Sequence, residues 1–132
     1  TLKVNNTTSE GTRNIVKAMQ ANGVKRFICE TSLGVGDSRE QAGFFFSKII
    51  IPTLLKNAIA DKEIQEQIIR ESDLDWTIVR PGGLKDTPKT SIYRAGLDKS
   101  ISGNISRADV AEFMLKQIDS DEYFRKTPAI CY

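Results

Sequence analysis

The sequence predicts an α/β protein in which a parallel sheet carries helices on its faces. Three observations predict it. Helix-like and strand-like stretches alternate along the whole chain. The first strand candidate is apolar at consecutive positions, Phe27-Ile28-Cys29, as a strand covered on both faces should be. Each connection between strand candidates contains a helix, which is the crossover a parallel sheet needs.

The elements follow in order. A helix is predicted from Ser9 to Asn22, where Ile15, Met19 and Asn22, with Val16 and Ala18, keep a helical period. Thr7 and Glu10 have capping-box spacing at its start, and Gly23 is placed to end it in the left-handed conformation. A strand spans Val24 to Thr31. Residues 32–43 contain Gly34, Gly36 and Gly43 and read as a loop. A long helix is predicted from Pro52 to Ser72, with Pro52 in its first turn and Leu55, Ala58, Ile59 and Ile69 on one stripe.

The second strand is Asp75 to Arg80, ended by Pro81-Gly82-Gly83. Residues 84–103 read as a long loop with one short strand at Ser91 to Arg94. Ser106 caps a third helix, with Asp109 in the first turn and Val110, Phe113, Met114, Gln117 and Ile118 on the buried face. Thr127 to Tyr132 is extended. No repeat or low-complexity linker divides the chain, so residues 1–132 read as one unit.

Composition narrows the function classes. The chain has 132 residues and a net charge of +2, with lysine and arginine scattered, which argues against nucleic acid as a partner. The longest apolar cluster, Phe44-Phe45-Phe46 and Ile49-Ile50-Ile51, is broken by Ser47-Lys48 and stopped by Pro52, well short of the ~20 residues of a membrane span. With no such span and no signal peptide, the expectation is a cytoplasmic protein that does not bind membranes. The first residue is Thr1, not Met, which suggests processing or truncation. There is no histidine and the two cysteines, Cys29 and Cys131, are far apart in sequence, so no metal site is expected and Ser-His-Asp or Cys-His chemistry is excluded. Acid–base work falls to Lys, Tyr, Asp, Glu or a bound cofactor.

Ligands on parallel sheets bind beyond the carboxyl ends of the strands. Here those ends are Thr31-Ser32 and Pro81-Gly82-Gly83-Leu84. Hydroxyls at the first can bond a ribose or a reacting carbonyl, or can simply start a turn. Glycines at the second let a backbone approach a flat ligand, or can simply end the strand. Lys62 and Glu66 fall within the apolar stripe of the second helix. Either Lys62 faces a cleft and holds a cofactor, or the two form an i,i+4 pair at the stripe's edge, in the weaker order for such a pair. Ser106-Arg107-Ala108-Asp109-Val110 reads as a helix cap in preference to a substrate contact by Arg107. Gly34-Val35-Gly36 is not a dinucleotide fingerprint, because Arg39 stands where the third glycine belongs.

Three ordered motifs resemble a known family. Val4-Asn5 with Ser9-Glu10-Gly11-Thr12-Arg13-Asn14-Ile15-Val16 and Gly23-Val24-Lys25-Arg26-Phe27-Ile28, then Leu74-Asp75-Trp76-Thr77-Ile78-Val79-Arg80-Pro81-Gly82, then Ile105-Ser106-Arg107-Ala108-Asp109-Val110-Ala111 resemble the later part of atypical short-chain dehydrogenase/reductases. Asp121-Glu122-Tyr123 is similar to the NAD(P)H-binding subgroup that includes biliverdin reductase B, the NADPH-flavin reductase. The resemblance implies a partial Rossmann-like domain whose N-terminal half, with its glycine-rich pyrophosphate turn, is absent. It implies an NAD(P)H-dependent oxidoreductase moving hydride from NADP or NAD cofactor to a flavin-like or other conjugated small molecule.

The resemblance also implies roles. Thr31 and Ser32 lie beside the nicotinamide, Lys62 contacts its ribose, and Pro81, Gly82, Gly83 and Leu84 line the pocket; Ser32 and Lys62 are the catalytic candidates. Two departures stand out. The tyrosine four residues before the lysine is replaced by Ala58, and the histidine of biliverdin reductase B by Gly83. They leave open a second reading, a non-catalytic NAD(P)-binding sensor or assembly factor of the NmrA-like type. A third is a truncated interaction module, self-associating through the sheet edge that missing strands would expose.

Overall fold

The computed structural model describes residues 6–44 and 46–132. Val4, Asn5 and Phe45, used in the sequence reading, lie outside them. Helix α1 (Thr7–Ala21) does not begin with the Thr7–Glu10 box. Asn6 precedes its first turn without a side-chain cap, and the open amides of Thr8 and Ser9 donate instead to Asp61 at 3.0 and 3.1 Å. Burial works against the Asp61 charge, but these donors outweigh it and hold its pKa below the ordinary carboxylate value. A carboxylate from a distant helix thus neutralises the orphan amides a local cap would have served.

The buried stripe of α1 is Ser9, Thr12 and Val16, and Ile15 is half exposed. At the far end Gly23 adopts φ +68°, its N–H donates to Gln20 O, and Val24 N–H reaches back to Met19 O. This is the paired closure that a left-handed glycine allows.

Strand β1 (Arg26–Glu30) is half-buried at every position, where full cover was expected. It is the end strand of its sheet, so one flank has no neighbour among the described residues. Residues 32–43 hold two 3₁₀ turns, Gly36–Ser38 and Glu40–Ala42, and a π turn follows at Phe46–Ile50. The predicted helix from Pro52 is two pieces, α2 (Ile51–Thr53) and α3 (Lys56–Glu71). Ile51 is buried against Val35 and Ile59, which draws the Pro52 turn inward, and Leu55 at φ −107°, ψ 5° breaks the run.

Strand β2 (Asp75–Pro81) is buried from Trp76 onward. Then come β3 (Gly83–Lys85), β4 (Arg94–Gly96), β5 (Asn104–Ser106), α4 (Arg107–Lys116) and β6 (Ala129–Cys131). The main sheet runs β1-β2-β6-β4, parallel except for β4, which is antiparallel to β6; β3 and β5 form a parallel two-stranded ribbon. The strand expected at Ser91 to Arg94 starts only at Arg94. Asp109 holds the amides of Thr90 and Ser91, and Ser91 sits at φ +57°, so that stretch is a turn. The ribbon was not anticipated.

Helices pack on both faces of the sheet. Val79, Ile105, Val110, Phe113 and Ile130 form the core under α4, and Ile69, Trp76 and Ile78 the core under α3. Ile118, expected on the buried face, lies past the end of α4 and is exposed. Among the described residues no helix is long and apolar enough to cross a membrane.

Candidate functional site

Because β1 and β2 are parallel, their carboxyl ends lie side by side. Thr31 N–H donates to Val79 O at 2.9 Å and Leu33 N–H to Pro81 O at 2.8 Å. Beyond these tips a cavity of about 570 Å³ opens. One wall is Thr31, Ser32 and Leu33; the next is Pro81, Gly82, Gly83 and Leu84. Ser102, Gly103 and Asn104 border it next to Gly82 and Gly83, and Ala42 and Phe46 complete the lining. None of these residues is ionisable. The two strand tips singled out from the sequence therefore meet at one cleft.

The glycines at the β2 tip serve the chain itself. A Cβ on Gly82 would collide with the Gly103 carbonyl and stand 2.7 Å from Cys131 Sγ; one on Gly83 would collide with the Asn104 side chain. Gly83 N–H donates to Gly103 O at 2.9 Å and Gly82 N–H to Ile130 O at 3.1 Å. The close approach expected for a flat ligand is first an approach of the 102–104 segment, which becomes a wall of the cleft.

Thr31 and Ser32 differ in what they offer. The buried Thr31 hydroxyl donates to Glu66 Oε1 at 2.8 Å, so toward a ligand it has only lone pairs left. Ser32 is half-buried and its hydroxyl contacts only the neighbouring Leu33 carbonyl, at 3.0 Å. It is the hydroxyl of this tip that can turn a proton toward the cavity.

Lys62 does not border the cavity. It is half-buried on α3, with no hydrogen bond or ion pair among the described residues, and close enough to Cys29 to be felt by its thiol. Burial pushes the Cys29 pKa up to about 11, and Lys62 only partly counters it.

The alternative Lys62–Glu66 pair is not what the structure shows. Glu66, 4% exposed, takes a two-pronged contact from Arg80, Nε to Oε1 at 2.9 Å and Nη2 to Oε2 at 2.7 Å. Its i,i+4 partner is Arg70, at 3.3 Å, in the favourable order of acid before base. Arg80, 3% exposed, also donates from Nη1 to Asp37 at 2.7 Å, and Asp37 binds Lys99 at 3.2 Å. Burial opposes the Arg80 charge, but Glu66 and Asp37 outweigh it and raise its pKa. Burial likewise opposes ionisation of Asp37, yet Arg80 and Lys99 bring its pKa down to about 2.

Sequence reasoning missed this hub. Its signal was Arg80 itself, a cation inside a buried strand, which requires a buried carboxylate. Phe46 and Ser102 to Asn104 were missed as well. The cap reading of Ser106 is what the structure shows. Its Oγ accepts from Asp109 N–H at 3.0 Å, while Arg107 is exposed and pairs with Asp86 at 2.8 Å.

Comparison with known proteins gives three kinds of likeness. Residues 1–121 match the model of a family described as NAD(P)H-binding. Over 110 residues the chain is 33% identical to an uncharacterized sugar epimerase of Bacillus subtilis, covering 83% of this chain and 46% of that protein. Among solved structures it is similar to ChuY, an anaerobilin reductase of Escherichia coli O157:H7, with a TM-score of 0.82, 25% identity, and cover of 98% of this chain and 60% of that one. It shares the fold of a short-chain dehydrogenase/reductase of Veillonella parvula in complex with NADP, with a TM-score of 0.82, 17% identity, and cover of 97% and 60%. The chain thus spans about half the length of such relatives.

Proposed function

The chain belongs to the NAD(P)H-binding family, and on that premise we propose that its protein is an oxidoreductase passing hydride from NADPH or NADH to a flat conjugated small molecule such as a flavin. The observation that carries this reading is the cleft without ionisable lining at the joined tips of β1 and β2. Such a cavity suits a neutral ring and its carboxamide, and a second ring laid against it; it does not suit phosphates. Bound reduced nicotinamide would supply the hydride.

The chain's own residues orient and shield the rings. Pro81, Gly82, Gly83 and Leu84 form one wall and Phe46 an apolar flank. Ser32 donates a hydrogen bond to the acceptor, Thr31 accepts one from the cofactor, and Lys62 anchors the ribose hydroxyls from α3. With no acid at the cleft, the proton that follows the hydride comes from water. That favours an acceptor whose reduced form is protonated in solution, as with flavins and open-chain tetrapyrroles. The likeness to an anaerobilin reductase supports a conjugated acceptor.

A second reading, a non-catalytic nucleotide-binding sensor or assembly factor of the NmrA-like type, is favoured by Ala58 in the place of the family's tyrosine and by the same lack of an acid.

The test is oxidation of NADPH and NADH by the full-length protein with free flavin. Ser32→Ala is expected to lower kcat about tenfold, the worth of one good hydrogen bond, and Lys62→Ala to raise the nucleotide KM by a similar factor. Unchanged turnover in both variants removes these roles. Nucleotide binding without oxidation across a panel of conjugated acceptors selects the sensor.

A further inference from the structure

None of the described residues that line the cleft is charged, yet one of the most heavily bonded ion clusters in the described structure lies directly behind it. Arg80 is on β2, one residue before Pro81 of the cleft wall, and its guanidinium is turned away from the cavity toward α3. From there three connections run back. Glu66 Oε1 accepts a hydrogen bond from the Thr31 hydroxyl at 2.8 Å and so fixes the side chain at the β1 tip. Asp37 ties the segment after β1 to Arg80 at 2.7 Å. Lys99 joins that segment to the one before β5, donating to both the Asp37 carboxylate and the Asp37 carbonyl at 3.2 Å. Gln41 adds a second tie between the same segments, through Asp98 O and Ile101 O at 3.2 and 2.8 Å. These are the segments that bring Leu33 and Ala42, and Ser102 to Asn104, to the lining of the cleft.

We infer that Glu66 and Arg80 are the positioning pair of the cleft, setting the orientation of its Thr31-Ser32 tip and the separation of its two flanking segments without touching the ligand. The inference rests on the nicotinamide reading of the cleft. A buried ion pair is weak support for stability, because desolvation offsets most of its attraction. Its geometric effect is firmer. The guanidinium fork accepts one arrangement of carboxylates, so Thr31 and Asp37 are held at fixed places relative to β2. The pair also spends the Thr31 proton inside the protein, which leaves Ser32 as the donor of this tip.

The experiment measures NADPH affinity and thermal stability of the full-length protein in Asp37→Asn, Thr31→Val, Thr31→Ser and the Asp37→Asn/Thr31→Val double variant. Asp37 is largely exposed and outside the cleft, so its substitution leaves the fold intact. Positioning predicts that Asp37→Asn, which removes no ligand contact, weakens NADPH binding about fivefold; Thr31→Val removes a cofactor contact as well, and the double variant falls short of the product of the two losses because both act on one tip. Thr31→Ser, which keeps the hydroxyl for Glu66, restores affinity. If Asp37→Asn shifts the melting temperature but leaves affinity unchanged, or if the two losses multiply, the pair is structural only and the inference fails. If the unsubstituted protein binds neither NADPH nor NADH, the nicotinamide reading fails, and the positioning role with it.

Discussion

Two buried carboxylates organise this molecule, and they are satisfied in opposite ways. Glu66 is surrounded mainly by cations, Arg80 in a two-pronged contact and Arg70 at its edge, with Thr31 as the one neutral donor. Asp109, fully buried at the start of α4, receives only neutral donors among the described residues. Those are the amides of Thr90 and Ser91 and the hydroxyls of Thr90, Ser106 and Tyr132. Glu66 locks the segments behind the cleft, and Asp109 locks the 90–91 turn and the C-terminal Tyr132 to α4. The lesson concerns donor chemistry. A guanidinium has donors and nothing else, whereas a hydroxyl can reverse and accept. The two clusters should therefore respond differently to the same small change, carboxylate to amide.

The largest effect is expected at Glu66. In Glu66→Gln an N–H must face a guanidinium N–H whichever way the amide turns, because both oxygens accept from Arg80. Urea unfolding should show a loss of about 3–5 kcal/mol, the cost of stranding a buried charge. A loss under about 1 kcal/mol would mean that water reaches Arg80 and would remove the contrast.

Asp109→Asn should cost less, and its cost should depend on pH. The amide can keep its oxygen on the Thr90 and Ser91 amides and offer its N–H groups to hydroxyls that reverse. Burial works against the Asp109 charge, but Tyr132 and Ser106 lead the donors that hold its pKa well below its ordinary value of 3.8. A depressed pKa contributes stability fully above about pH 4 and loses it as the pH falls toward the folded pKa. The gap in melting temperature between the unsubstituted chain and Asp109→Asn should thus be widest at pH 5 to 7 and close toward pH 2. A gap that grows on acidification would reverse the assignment. Asp37 and Asp61 are also held below the ordinary carboxylate value, so the difference between the two proteins is the informative quantity.

The same pair shows which parts of the molecule were legible beforehand. Ser106 and Asp109 stand three residues apart, and a cap is a local pattern, so that reading needed no tertiary information. Thr90 and Tyr132, which complete the cluster, are joined to it only by the fold. Glu66 was visible as a misfit on an apolar stripe, but its partner lies on the next strand and meets it only once β2 packs under α3. The meeting of Thr31-Ser32 with Pro81-Gly82 was legible because parallel strands end on the same side. Phe46 and Ser102 to Asn104 reach the cleft from a single helical turn and from the start of the short strand β5, elements too short for periodicity to mark. The start of α3 was misread for a related reason. Pro52 does stand in a first helical turn, that of α2, but the run breaks at Leu55 before α3 begins.

The smallest expected effect isolates one arm of the neutral cluster. Tyr132 donates to Asp109 Oδ2 at 2.7 Å and accepts from Ser106 N–H at 3.2 Å. Tyr132→Phe removes both bonds and leaves the ring in place. Asp109 keeps its remaining donors, so its charge stays compensated and the loss should be near that of an ordinary hydrogen bond, about 1 kcal/mol by urea unfolding. Removing one donor from the cation-bound carboxylate has no such cushion, because each of its contacts to Arg80 also neutralises charge. If Tyr132→Phe proved as costly as Glu66→Gln, neutral donors would be holding Asp109 as tightly as cations hold Glu66, and the distinction between the two clusters would be one of position alone.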